Sequence, residues 1–181
     1  MKLIVGLGNP LPINFKNRHN VGFIILDYFC QDLVPNLKFK ENKKTKSLEL
    51  RVDKLILAKP LTFMNNSGEA LKLLQSYYNI LLKDILIVHD DIDQFIGSYK
   101  YVTKGGSGGH KGVQNIFDVF KTKQLHRLKI GVAPKNYNPT QHKAYDFVLK
   151  NLTKLELNAL KKLYTTSLNS LLKDFVNGKS E

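Results

Sequence analysis

Ile85-Leu-Ile-Val88 is a continuous apolar run that ends at once in His89-Asp90-Asp91. A run this short, dominated by β-branched residues and without polar alternation, reads as a strand buried on both faces. Such a strand needs helices on both sides of its sheet, because a sheet with one wet face alternates apolar and polar. Residues 2–7 (Lys-Leu-Ile-Val-Gly-Leu) and His126–Ala133 read as further strands, and Ser98–Val102 as a short one. Ser47–Val52 and Leu55–Lys59 flank the turn Asp53-Lys54 and predict a hairpin. The basic stretch 38–46 predicts an exposed loop or strand edge.

Helical spacing fills the intervals. Val21, Ile24, Ile25, Tyr28, Phe29 and Leu33 form one stripe over 20–33, and Ala70, Leu71, Leu74 and Tyr78 another. Val113–Phe120 predicts a third helix. Thr153 and Glu156 have capping-box spacing and open a C-terminal helix over about 153–177, ended near Gly178, and Asn66 and Glu69 share that spacing. No repeat or low-complexity linker divides the chain. The expected architecture is α/β: a single-domain α/β/α sandwich over residues 1–181, with a mixed, mostly parallel central sheet. Sites in such folds gather at the carboxyl ends of strands.

Lys and Arg number 28 against 15 Asp and Glu, a formal net charge of +13. That excess points to a polyanionic partner, with a merely lysine-decorated solvated face as the plainer reading. No apolar run approaches the roughly 20 residues that span a bilayer, so no membrane partner is expected. The single cysteine, Cys30, lies on the apolar stripe of the first helix, excludes an internal disulfide, and fits a buried thiol in a reducing cytoplasm.

Several familiar motifs fail. Gly6-Leu7-Gly8-Asn9-Pro10-Leu11 follows a strand, yet lacks the third glycine of a dinucleotide fingerprint. Lys104-Gly-Gly-Ser-Gly-Gly-His-Lys-Gly112 lacks the P-loop order. No His-x-x-x-His pair or Gly-x-Ser-x-Gly elbow occurs, so neither a zinc site nor a serine hydrolase is expected.

Polar residues instead cluster where strands end or helices begin: Asn9, Arg18-His19-Asn20, Met64-Asn65, and His89-Asp90-Asp91-Ile-Asp93. Taken singly, these are turn residues, helix caps or a solvated acidic loop. Taken together they fit one chemistry. A histidine serves as a base near neutral pH, a carboxylate fixes its tautomer, and asparagine amides hold a carbonyl or a water. No nucleophilic serine or cysteine is among them. The expected reaction is hydrolysis by histidine-activated water, without a covalent intermediate, metal or cofactor.

These residues in this order resemble the bacterial peptidyl-tRNA hydrolase family. The resemblance rests on Lys2–Pro10, Arg18-His-Asn-Val-Gly22, Lys59-Pro-Leu-Thr-Phe-Met-Asn-Asn-Ser-Gly68, Val88–Asp93, Gly105–Gly112 and His126-Arg-Leu-Lys-Ile-Gly131, and extends to about residue 150. It implies a monomeric cytoplasmic enzyme that cleaves the ester between a peptide and the 3′ end of tRNA. It implies His19 as catalytic base and Asp90 as its orienting carboxylate. Asn9 and Asn65 then bind the peptide end and support the reacting carbonyl or water, while Met64 and His110 line the groove. The glycine-rich loop becomes a wall of the channel, with Lys100, Lys104, Lys111 and Lys129 toward the phosphates of the acceptor stem and 3′ end. Arg127 is expected to be structural. The alternative is a non-catalytic RNA-binding or tRNA-binding relative of the same fold.

The chain departs from the pattern in places. Lys111 stands where the family usually has Asn after the loop histidine, Val102 where a basic residue is frequent, and Asn17 where Thr is common. Leu11, Asn14 and Phe15 also differ, so a different backbone path is expected over 10–17. A lysine only donates, whereas an asparagine amide also accepts. The substitution is therefore expected to alter substrate affinity while activity survives.

Overall fold

The computed structural model describes residues 1–10, 16–135, 137–138 and 144–179. The expected path of segment 10–17 falls largely outside these residues. The order of elements is β1 (Lys2–Gly6), α1 (Val21–Leu33), β2 (Lys40–Asn42), β3 (Ser47–Val52), β4 (Leu55–Pro60), α2 (Ser67–Tyr77), β5 (Ile85–Phe95), β6 (Tyr99–Val102), α3 (Lys111–Phe120), β7 (His126–Ala133), α4 (Ala144–Val148), α5 (Lys154–Leu163) and α6 (Asn169–Val176). A 3-10 turn at Arg18–Asn20 leads into α1, another at Met64–Asn66 leads into α2, and a π-helical turn at Tyr164–Leu168 joins α5 to α6.

The seven strands form one sheet in the order β2-β3-β4-β1-β5-β7-β6. The inner four (β4, β1, β5, β7) are parallel, while β2, β3 and β6 add antiparallel edges. Period-two alternation divides the core into two layers. Ile4, Leu57, Leu86, Val88, Leu128 and Ile130 pack with α1, α5 and α6 on one face. Leu3, Val5, Ile56, Ile85 and Ile87 pack with α2 and α3 on the other. This is the three-layer arrangement that the unalternating β5 run requires.

After β1 the chain goes to the sheet edge at β2 and works inward through β3 to β4 beside β1, then crosses to place β5 on the other flank of β1. The topological switch point therefore lies between β1 and β5, where a crevice opens at the carboxyl ends of the strands. Gly22 lets α1 settle onto that crevice. A Cβ there would collide with the carbonyl oxygen of Val88 and the backbone of Leu7. Helix α1 starts where it does because these backbones can approach so closely.

Three local expectations change. Strand β5 does not stop at its acidic run but continues to Phe95, with an irregular register against β7 between Asp91 and Phe95. Asn66 and Glu69 do not form a capping box. Asn66 has φ −126° and ψ 24° after the 3-10 turn, not the extended backbone a capping side chain needs; Glu69 instead accepts from the Asn66 side-chain amide and meets Lys46. The Thr153–Glu156 box is complete. The predicted C-terminal helix is interrupted by the π turn, where Tyr164 Oη donates to Asp32 at 2.9 Å. It ends at Gly178, whose φ of 72° suits glycine.

Candidate functional site

Asp90 is the centre of the site. It lies near the carboxyl end of the buried run, 3% exposed, and two imidazoles converge on it. His19 Nδ1 is 2.8 Å from Asp90 Oδ1 and 3.0 Å from Oδ2, and His110 Nε2 is 2.9 Å from Oδ1. The imidazole rings of His19 and His110 stand 4.9 Å apart. Burial alone would raise the Asp90 pKa, but the charges and hydrogen bonds of His110 and His19 outweigh it and hold the carboxyl well below the usual range.

The hydrogen bonds assign the tautomers. His110 is the N-cap of α3, and its Nδ1 accepts the backbone N–H of Val113 at 3.2 Å. An accepting Nδ1 requires the proton on Nε2, which donates to Asp90. His19 donates from Nδ1, leaving the lone pair of Nε2 free to accept a proton. The same bookkeeping argues against a metal on this triad. His19, Asp90 and His110 are close enough together to suggest one, but the His110 Nε2 lone pair is unavailable while Nδ1 accepts from Val113.

His89 supports Asp90 from the other face of the sheet. Its Nδ1 donates to the Asp90 carbonyl at 2.7 Å, and its ring meets His110 edge-on at 4.7 Å between centroids. Burial, and next the neighbouring His110, lower its pKa from 6.5 to about 3, so it stays neutral. Its buried Nε2 has no partner among the described residues.

The segment carrying His19 is clamped against the C-terminal part of the chain. Arg18 N donates to Lys150 O at 3.1 Å and Leu152 N to Lys16 O at 2.8 Å. The Arg18 guanidinium donates to Val132 O at 3.2 Å and Asn151 O at 2.8 Å, pairs with Glu156, and lies over the Phe147 ring at 4.5 Å. Arg18 belonged to a recognised cluster, but nothing in the sequence marked Glu156 or Phe147 as its partners.

Asn9 is held from two sides. Asn20 accepts its backbone N–H at 2.7 Å and donates to its carbonyl at 3.2 Å. Asn9 Oδ1 accepts the Met64 N–H at 2.9 Å, which leaves Nδ2 as the donor. Asn20 is therefore a brace for Asn9 and makes no helix-capping bond through its side chain. Met64 is buried, whereas Asn65 beside it is exposed.

A cavity of about 130 Å³ opens at the triad, lined by His19, His89, Asp90, His110, Lys111 and Tyr145 among others. Gly108 and Gly109, at φ 60° and 76°, turn the glycine loop along its wall. Arg127, 1% exposed, donates to the carbonyls of Gly106 and Gly105 at 2.9 and 3.0 Å, which supports its expected structural role. Lys129 also lines the cavity and is paired with Asp91 at 2.7 Å. Lys100 lies opposite Lys129 in the β6–β7 ladder, and Lys100 and Lys104 are exposed. Lys111 is the first residue of α3, and its Nζ stands 4.4 Å from the Tyr145 ring centroid. A larger cavity, about 710 Å³, shares Asn9 but none of the triad.

The family model for peptidyl-tRNA hydrolase matches residues 3–180. The chain belongs to this family. The peptidyl-tRNA hydrolase of Listeria welshimeri is 40% identical over 157 residues, covering 86% of this chain and 83% of that one. That of Mycoplasma mycoides subsp. mycoides SC is 37% identical over 181 residues, covering 99% and 95%. The crystal structure of peptidyl-tRNA hydrolase from Acinetobacter baumannii superposes with a TM-score of 0.85 at 28% identity, over 99% of this chain and 90% of that one. No described helix is long and apolar enough to cross a membrane.

Proposed function

We propose that this chain hydrolyses the ester joining a peptide to the 3′ end of tRNA, using water activated by His19. The observation that carries the mechanism is the pair of hydrogen bonds between His19 Nδ1 and the Asp90 carboxylate. They hold the imidazole with Nε2 as base. Nε2 takes a proton from water as the water oxygen attacks the ester carbonyl. The carbonyl electrons move onto oxygen, giving a tetrahedral oxyanion. As that oxyanion collapses, the bond to the ribose oxygen breaks, and protonated His19 returns its proton to the leaving 3′-oxygen. Free peptide acid and free tRNA result.

Asn9 Nδ2 donates to the peptide or to the developing oxyanion, with Asn65, Met64 and His110 completing the peptide-side wall. Lys100, Lys104, Lys111 and Lys129 supply phosphate contacts along the acceptor stem and 3′ end that position the substrate without reading sequence. The chain works as a monomeric single domain in the cytoplasm.

The test is release of N-acetyl-phenylalanine from its tRNA by the parent and by His19→Ala, with a metal chelator present. The parent turns over, and the variant loses at least about 10²-fold in kcat, the range of general-base catalysis. A folded parent that binds tRNA but does not turn over would support a non-catalytic tRNA-binding role instead. Lys111, in place of the family's usual Asn, is the residue that favours that reading.

A further inference from the structure

Lys111 is unusual for its position. It is the first residue of α3, where the partial positive charge of a helix N-terminus disfavours a cation. It has no carboxylate partner among the described residues, whereas its neighbour on the cavity wall, Lys129, shares its charge with Asp91. Its ammonium instead lies over Tyr145, 54% exposed on α4. Both residues line the cavity that contains His19 and Asp90.

We infer that Lys111 and Tyr145 form the subsite for the terminal nucleotide of the substrate: Lys111 binds its 5′-phosphate and Tyr145 stacks on its base. This rests on the hydrolase reading and specifies one part of it. The floor of the cavity is the buried His19, Asp90 and His110, whereas Tyr145 and Lys111 are exposed. The base and phosphate therefore lie at its mouth, where exposed Tyr145 and Lys111 stand, and the ribose enters. Chemistry selects phosphate over peptide. The reacting ester sits on the 3′-side of a ribose, and the only anion every peptidyl-tRNA carries so near that ester is the 5′-phosphate of the same nucleotide. A peptide places a carboxylate there only by accident of sequence. Lys111 follows directly after His110, whose ring contacts Asp90, so its reach from the reacting centre is about one nucleotide. An aromatic face is a sequence-tolerant platform for an unpaired base.

The experiment uses uncleavable 3′-amide analogues, 3′-(N-acetyl-phenylalanyl)amino-3′-deoxyadenosine with and without a 5′-phosphate. Their dissociation constants are measured by calorimetry on the parent, Lys111→Met, Lys111→Arg, Tyr145→Ala and Tyr145→Phe. The parent binds the phosphorylated analogue about tenfold more tightly, the scale of one charge-assisted hydrogen bond. Lys111→Met removes the preference and Lys111→Arg retains it. Tyr145→Ala weakens both analogues about equally, while Tyr145→Phe does not. Absence of a phosphate preference in the parent, its survival in Lys111→Met, or failure of both analogues to bind would overturn the assignment. Because binding is read without turnover, failure of the subsite is distinct from failure of the hydrolase reading, which N-acetyl-phenylalanyl-tRNA cleavage tests separately.

Discussion

Arg18 and Glu156 form a largely buried ion pair that ties the residue before His19 to the first turn of α5, their side chains 6% and 12% exposed. Glu156 also accepts the Thr153 N–H at 2.7 Å as half of the capping box. One carboxylate thus serves the helix start and the segment that presents His19.

Glu156→Gln separates these duties. Glutamine can still cap, but it leaves the guanidinium without its counter-charge. Breaking one side of a buried pair costs about 3 kcal/mol or more, reduced here because Arg18 keeps its carbonyl partners. We expect roughly 2 kcal/mol of destabilisation by urea titration. Glu156→Ala loses about 1 kcal/mol more with the cap. Because the clamp also sets where His19 lies, kcat of Glu156→Gln falls several-fold while KM holds. An unchanged urea midpoint would show that the pair does not clamp the site.

His110 has two roles that one substitution can split. Asparagine is among the best N-cap residues, so His110→Asn keeps the start of α3 but is too short to reach Asp90 as Nε2–H does. Stability should fall by roughly 1.5–3 kcal/mol, the cost to buried Asp90 of one lost charge-assisted hydrogen bond, with the cap retained. Asp90 is then oriented by His19 alone, and kcat should fall by roughly tenfold or more, the size of one lost charge-assisted hydrogen bond. A kcat unchanged in His110→Asn would mean that His110 acts only through the helix.

Much of this site was legible from local pattern. The unalternating β5 run demanded helices on both faces, and the motif residues His19, Asp90, Asn9 and His110 stood at element ends where a crevice forms. The missing part depends on contacts remote in sequence. Nothing near Arg18 indicates Glu156, since the pairing needs β7, α4 and α5 in place. Asn20 reads as a helix cap until Asn9 is seen to lie within its reach. The extension of β5 to Phe95 was hidden because Asp and Gln disfavour strands locally, whereas pairing with β7 overrides that preference. The failed Asn66 cap is a backbone effect: a 3-10 turn places the residue off the extended conformation that the spacing rule assumes.

Asp90→Asn tests the orienting carboxylate. An amide oxygen in the place of Oδ1 can still accept from both imidazoles, but the amino group replaces Oδ2, which lies 3.0 Å from the donating His19 Nδ1, and the amide carries no charge to stabilise imidazolium. Because the folded state holds the Asp90 carboxyl well below its usual range, the neutral amide also costs stability, so the rate is compared on protein shown to be folded. Single-turnover hydrolysis should slow by about 10³-fold or more, as when a base loses its orienting carboxylate. A rate within tenfold of the parent would remove Asp90 from the mechanism.

His89 makes stability depend on pH. Its folded pKa is lowered from 6.5 to about 3, so between those values the unfolded chain binds a proton that the folded one refuses. The contribution is fully present above pH 6.5 and is lost as pH falls through the window toward 3. From pH 7 to 4.5 that amounts to roughly 2–3 kcal/mol of unfolding free energy. His126, its pKa lowered first by burial and next by Lys2, adds to the loss with the same sign. Asp90 and Asp91 begin to matter only nearer their own unfolded value of 3.8. His89→Asn offers an N–H for the Asp90 carbonyl but cannot titrate. Urea titrations at pH 7 and 4.5 should therefore show a smaller difference for His89→Asn than for the parent, with His126 supplying the remainder. An identical pH dependence in the two proteins would mean that His89 is protonated in the folded state at pH 4.5, and that Asp90 is braced by a charged ring.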